Sequence, residues 1–284
     1  RAELTLGDVT DARAVLDVAR DRSDELGRNE GVEPPRNDIF VDTGGVSDAE
    51  RRAIEARAEE LGATEHITEQ AGPAIWEDIV VPLIWGGEVY QNQYPLLCSD
   101  RYLIVQRALE VARRRGTDAF AHGCTGMGND QVRFDLTVKA LGEFEIIAPI
   151  REIQREHDDV RVWEKTFLEE RGFDVPDKTS RYTINENLLG VTTSGSEVDE
   201  WQRPESGTWQ LCDPPSEWPD RPQRVELTFE NGVATELDGE PTDGPELLAA
   251  LNDTFGAYGI GRGIYTGDTT VGLKGRIVYE LGGE

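Results

Sequence analysis

The stretch "AHGCTGMGNDQVRF", residues 121–134, sets the reading of the whole chain. Gly123, Gly126 and Gly128 are crowded among small polar residues, and Asn129, Asp130 and Arg133 follow at helical spacing. "DAFAHG" (118–123) reads as a strand running into this glycine loop, and "NDQVRFDLTVKALG" (129–142) as the helix that leaves it. Glycines let backbone approach a ligand closely, and the helix start offers unpaired N–H groups and a positive dipole end that favour an anion. Asn129 and Arg133 stand four residues apart and Asp130 and Arg133 three apart, so all of them reach one rim. A cation for a carboxylate, an anion for an ammonium and an amide that serves either suit a zwitterionic amino acid. The plainer alternative makes Asp130 the helix N-cap and Arg133 its solvated partner.

Outward from this stretch the first part of the chain alternates strands and helices. "NDIFVDTGG" (37–45) is a buried strand ending in two glycines. "SDAERRAIEARAEELG" (47–62) follows as a helix with Ser47 and Glu50 spaced as a capping box and Gly62 as its stop. "TEHITE" (64–69) is a short strand, and "SDRYLIVQRALEVARRRG" (99–116) a helix with Leu103, Val105, Ala108, Leu109 and Ala112 on its apolar face. "FEIIAPI" (144–150) reads as another strand. This succession predicts an α/β fold, a parallel sheet covered by helices, whose ligands sit beyond the carboxyl ends of the strands. The glycine loop falls there.

After Phe173 the texture changes, and Pro, Gly, Ser and Trp become frequent from Val175 to Arg224. "RVELTFENGVATELDG" (224–239) is a hairpin with Asn231-Gly232 as its two-residue turn, "GPELLAALNDTFGAYG" (244–259) an amphipathic helix, and "TTVGLKGRIVYE" (269–280) supplies closing strands. The expected division is an α/β domain over residues 1–176 and an α+β domain over 177–284.

Composition bounds the partners. The net charge is −27, with 56 acidic residues against 29 basic ones, and the lysines are only Lys139, Lys165, Lys178 and Lys274. Nucleic acid is excluded as an expected partner, because phosphate contacts need clustered Lys and Arg. Scarce lysine and excess acid point to a halophilic protein, adapted to a cytoplasm of molar salt, where the screening length falls to about 3 Å. Cys98, Cys124 and Cys212 lack CxxC spacing, so neither structural zinc nor a disulfide framework is expected. No apolar run approaches the roughly 18 residues of a membrane helix and no signal peptide is seen, which makes a cytoplasmic location the expectation and a membrane partner not one. His122 is read as a backbone-contacting residue, Cys124 shows no legible Cys/His pairing, and Trp201, Trp209 and Trp218 are read as packing residues.

The opening stretch also carries a resemblance. "AHGCTGMGNDQVRFDL" resembles the signature of the argininosuccinate synthase family, and similarity continues through "FVDTGG", "YQNQYPLLCS", "FEIIAPIRE", "YTINENLLG" and "GIGRGIYTGDTTVGLKGRIVYE". The resemblance implies that the first domain is a parallel-sheet, adenine nucleotide alpha hydrolase-like domain that binds a nucleotide, followed by an α+β synthetase domain. It also implies a ligase that uses ATP, with Mg2+, to adenylate the ureido oxygen of citrulline, after which the α-amine of aspartate displaces AMP to give argininosuccinate. By the same resemblance Val41 and Gly123 contact ATP, and Thr125, Asn129 and Asp130 bind aspartate. Tyr94, Ser99, Asn129, Arg133, Thr183, Thr192 and Tyr279 are then the citrulline contacts, with Thr183 and Thr192 standing where the family usually has serines. It names no catalytic side chain and no metal ligand.

The departures are specific. Nothing between Arg1 and Val41 resembles the family's SGGLDTS phosphate loop, Met127 replaces a common lysine, and Gly267 and Asp268 stand where many members place a citrulline-binding glutamate. The long C-terminal segment through which members form homo-oligomers does not follow Glu284, so neither that assembly nor ATP turnover by residues 1–284 alone is expected. An argininosuccinate synthase homologue and a non-catalytic paralogue or fragment that binds amino acids or a partner both fit at this point.

Overall fold

A computed structural model of the chain describes residues 37–87, 89–90, 97–126, 128–157, 160–173, 182–268 and 274–283. Tyr94, Met127, the expected division between residues 176 and 177, and the start of the expected closing strand (269–273) lie outside the described residues. So do residues 1–36, the greater part of the region in which no phosphate loop was found.

β1 (Asn37–Asp42) pairs in parallel with β2 (Glu65–Gln70), and β3 (Ala119–Ala121) with β4 (Glu145–Ile147). Between β1 and β2 lies α1 (Asp48–Glu60), whose capping box forms as spaced: the Ser47 hydroxyl accepts the Glu50 N–H and the Glu50 carboxylate accepts the Ser47 N–H at 2.8 Å. A helical run then passes through α2 (Gly72–Ile75), a π-helical turn (Trp76–Val80) and α3 (Val81–Gly86). α4 (Asp100–Arg115) packs on both β1 and β3. Its apolar face is the one read from the sequence. Val105, Ala108 and Leu109 join Phe120 and Val138 in one cluster, and Leu103 joins a second cluster with Val41 and Ile75. Each of these Val, Leu, Ile and Phe side chains contributes about 1.5–3 kcal/mol by burial.

The glycine loop leads from β3 into α5 (Asn129–Leu141). The strand expected over 144–150 is shorter, because Pro149 starts α6 (Pro149–Glu156). A proline at a helix start has no N–H to lose and brings a preset φ, whereas in a continued strand it would break the ladder. α7 (Val160–Glu169) follows.

The second part is built on an antiparallel sheet in the order β10-β11-β6-β5: β5 is Thr183–Asn187, β6 Gly190–Ser194, β10 Arg262–Asp268 and β11 Lys274–Glu280. A smaller sheet holds β7 (Leu227–Glu230), β8 (Val233–Leu237) and β9 (Glu240–Pro241). Its first hairpin turns at Asn231 and Gly232, whose φ of 51° and 80° are those a type I′ turn requires. α8 (Gly244–Gly256) is capped by Asp243, which accepts the Glu246 N–H at 2.9 Å. Trp201 is a correction: it sits 63% exposed at φ 62°, on a turn and not in packing. Trp209 lies under the Arg262 guanidinium, and Trp218 donates to the Asp213 carbonyl.

The two parts meet through backbone. A Cβ on Gly45 would fall 2.5 Å from the Glu186 carbonyl oxygen, so the glycines that end β1 let β5 pass at close range. The Leu188 N–H donates to the Thr43 carbonyl at 2.8 Å beside them. Leu188 and Leu189, from the β5–β6 turn, complete the cluster begun by Val41 and Leu103. Farther along β11, the buried Glu280 carboxylate accepts the N–H groups of Gln210, Leu211 and Cys212 at 2.7, 3.2 and 2.8 Å, which pins an otherwise irregular loop to the sheet.

Candidate functional site

Hydrogen bonds fix the glycine loop. The Cys124 N–H donates to Nδ1 of His122 at 3.2 Å, which leaves Nε2 to carry the proton and donate to Asp135 at 3.1 Å. Arg151 grips Asp135 through both Nη atoms at 2.9 Å. The Gly126 N–H donates to Gln154 at 2.8 Å, and its carbonyl accepts from Gln131 at 2.7 Å. His122 is thus a backbone-contacting residue, as read from the sequence. It holds Gly123 and Thr125 in place, and a Cβ on Gly128 would sit 3.5 Å from the Thr125 hydroxyl.

This arrangement needs a neutral imidazole. Burial, helped by the Arg151 charge, pushes His122 below its usual range against the pull of Asp135. The unfolded chain therefore takes up a proton near pH 6.5 while the folded chain resists it. The His122 contribution to stability is full above pH 6.5 and is lost as pH falls toward the lowered folded value. Thermal unfolding of the parent between pH 7 and pH 5 should therefore drop further than that of His122→Gln, whose amide keeps an acceptor without titrating. Equal drops in both would remove this role.

The plainer alternative for the next helix does not hold. Gly128, not Asp130, occupies the N-cap of α5, and no side chain caps the N–H groups there. Asp130 instead binds Arg133 at 2.7 Å and Arg101 at 3.4 Å. Asn129 Oδ1 is buried with no hydrogen-bond partner among the described residues. Leaving such an acceptor unmade costs about 1–3 kcal/mol, so it marks a place for a donor brought by a ligand.

The facing wall is a row across the antiparallel sheet. Asn185 on β5 stands opposite Thr192 on β6, Thr192 opposite Tyr279 on β11, and Tyr279 opposite Gly263 on β10. Directly opposed residues share a face, and Thr183, two residues before Asn185, joins them. Thr192 is buried and Thr183 exposed. The Tyr279 ring lies across Gly263, where a Cβ would fall 2.1 Å from Cζ. Arg101 Nη2 donates to Asn185 Oδ1 at 2.5 Å, so this face looks toward Asp130.

Ser99 sits between the walls at the start of α4, on a turn tied to the second sheet by the Asn187 amide, which donates to the Leu97 carbonyl at 2.7 Å. Burial raises the thiol of neighbouring Cys98 above its usual range, and Arg133 and Arg101 offset part of that rise. The Val41 side chain is buried in the core, and its backbone lies in the β1–β2 ladder opposite Glu69. Sequence reading missed Arg101 and Asn185. The signals were present, since Arg101 follows Ser99 by two residues and Asn185 follows Thr183 by two, but nothing local ties one to the other.

The uncapped N–H groups at the start of α5 suit an anion. The described residues contain no group of three or more His, Cys, Asp or Glu side chains that could hold a metal ion. No described helix is long and apolar enough to cross a membrane.

Two family profiles match the chain: "Arginosuccinate synthase N-terminal HUP domain" over residues 37–172 and "Arginosuccinate synthase C-terminal domain" over residues 182–284. A curated argininosuccinate synthase from Xanthomonas axonopodis pv. citri is 59% identical over 245 residues, 86% of this chain and 60% of that protein. Those from Pyrococcus furiosus and Bacillus subtilis are 38% and 36% identical, over 85% and 81% of this chain and 58% and 57% of their own lengths. The chain thus spans about 60% of the length of the first of these relatives.

Proposed function

Because the chain belongs to the argininosuccinate synthase family, we propose that the cleft between α5 and the β5-β6-β11 face binds citrulline and aspartate for their ATP-dependent ligation to argininosuccinate. The observation that carries this reading is the buried, unpartnered Asn129 Oδ1, set beside an acid and a nearly buried arginine. In this reading Asp130 and Asn129, with Thr125, take the amine of aspartate. Arg133 turns from Asp130 to the citrulline carboxylate, and Ser99, Thr183, Thr192 and Tyr279 line the rest of the citrulline site. ATP, with Mg2+, supplies the AMP that activates the ureido oxygen. Gly123 and the Val41 backbone are its contacts among the described residues, and no step is assigned to them. Nothing in the relatives favours a non-catalytic alternative.

Calorimetric titration tests the site. Arg133→Lys keeps the charge but loses the planar fork that grips a carboxylate through two hydrogen bonds. Citrulline affinity should fall on Arg133→Lys and aspartate affinity on Asp130→Asn, by about 1–3 kcal/mol each. Thermal stability should change by less than about 1 kcal/mol, because Arg133→Lys keeps the charge and Asp130→Asn keeps the size and the acceptor oxygen. Loss of stability with unchanged binding would leave only a helix-surface ion pair. We also propose that the protein works in a saline cytoplasm: its unfolding midpoint should rise from about 0.1 to about 3 M KCl as self-repulsion is screened, and a flat midpoint returns the charge to ordinary acidity.

A further inference from the structure

Arg101 bridges the two walls, and neither the family signature nor the relatives' names assign it a role. One Nη donates to both carboxylate oxygens of Asp100, at 2.8 and 2.7 Å. The other Nη reaches Asn185 on β5 at 2.5 Å, and Nε points at Asp130 at 3.4 Å. Asp100 is fully buried and Arg101 13% exposed at its side chain, so neither pairs with solvent to any extent. Burial opposes the Arg101 charge, but the Asp100 and Asp130 carboxylates more than offset it and hold the group as a guanidinium. A charge pair this deep contributes little to net stability, because desolvation consumes most of the attraction. What it does provide is geometry: a planar fork fixed from behind by one acid can hold two further groups in a set relation.

We propose that Arg101, fixed by Asp100, is a positioning residue that holds the Asp130 carboxylate in register with the Asn185–Thr192–Tyr279 row. The proposal rests on the reading of the cleft as an amino-acid site. On that reading Asp130 belongs to the aspartate side and the row to the citrulline side, so Arg101 sets the separation of the two amino acids. It also explains how Asp130 keeps its place when Arg133 turns away to a ligand, since the second guanidinium stays on it. Each Arg101 nitrogen already meets a protein group, Asp100, Asn185 or Asp130. Its role is therefore exerted through Asp130 and Asn185 and not by contact with substrate.

The test uses the chain with Arg101→Met, Arg101→Lys, Asp100→Asn and the double variant Asp100→Asn/Arg101→Met, titrated with aspartate and with citrulline. Arg101→Met should weaken aspartate at least tenfold, and Arg101→Lys should restore less than half of that loss in free energy, because a point charge cannot fork. Asp100→Asn, which touches no ligand, should reproduce most of the effect, and the double variant should add nothing further. Glu280→Gln, which destabilises the fold through the 210–212 loop on the face of β11 opposite Tyr279, controls for stability and should leave both affinities within twofold. Full aspartate affinity in Arg101→Met, or strictly additive losses in the double variant, overturns the proposal. If the parent binds neither amino acid, the amino-acid reading fails and the positioning claim is still decided, by hydrogen exchange of the unliganded chain. Arg101→Met should then speed exchange at the start of α5 and along β5 together, while Glu280→Gln does not. Unchanged exchange at both places overturns it.

Discussion

Replacing Glu280 with alanine is expected to cost about 3–5 kcal/mol of folding stability. The carboxylate is fully buried and accepts three consecutive backbone N–H groups, those of Gln210, Leu211 and Cys212. Burial pushes its pKa above the usual carboxylate range and the three amide donors hold that rise back, so the group is costly to bury and more costly to remove. Alanine leaves all three N–H groups facing a space with no acceptor, and an irregular loop has no ladder to offer instead. Glu280→Gln keeps one carbonyl oxygen and should lose only about 1–2 kcal/mol. Urea unfolding of the two variants reads the difference directly. Similar losses in both would mean that the loop is held by its side chains, Arg262 over Trp209 among them, and not through Glu280.

Gly263→Ala is expected to do damage of a different kind. The added methyl falls 2.1 Å from Tyr279 Cζ and 2.3 Å from its hydroxyl oxygen, closer than any real contact, so the ring must leave the row. Overpacking of this sort costs about 1–3 kcal/mol. Because Tyr279 is a proposed citrulline contact, citrulline affinity should also fall by about tenfold or more, which is about 1.4 kcal/mol. Combining Gly263→Ala with Tyr279→Ala separates the two effects. The clash disappears, so stability should match Tyr279→Ala alone within about 0.5 kcal/mol, the signature of a coupled pair, while citrulline affinity stays low. Full citrulline affinity in Gly263→Ala would show that the ring position does not matter to the site.

Much of the local structure is legible in the sequence because its causes are local. The capping box at Ser47 and Glu50, the apolar face from Leu103 to Ala112, and the Asn231-Gly232 turn each follow from residues within one turn of each other. The end of β4 is also legible, since Pro149 marks it within the apolar run "IIAPI". What stayed hidden depends on partners far along the chain. Gly44 and Gly45 read as a strand ending, yet what crowds them is Leu188 of the β5–β6 turn and the backbone of β5, about 140 residues later. The site divides in the same way. Asn129, Asp130 and Arg133 announce themselves by helical spacing, and Thr192 and Tyr279 were named only through resemblance. Arg101 and Asn185, 84 positions apart, meet only once the two sheets have docked.

The β5–β6 hairpin turns inside the protein. Its two turn residues, Leu188 and Leu189, are 4% and 2% exposed, and the turn is tied to Thr43, Leu97 and Asn252 by hydrogen bonds. For anyone building a sensor or fusion on this scaffold, the two hairpins are opposites. The exposed tip at Asn231-Gly232 accepts an inserted peptide as most surface turns do. One extra residue at Leu188-Leu189 has no solvent to bulge into, and it slides β6 by one position against β5. With a side-chain period of two, that slip turns Thr192 to the reverse of the sheet and brings Thr193 or Val191 into the cleft, so the length of a two-residue turn decides which chemistry faces the ligand.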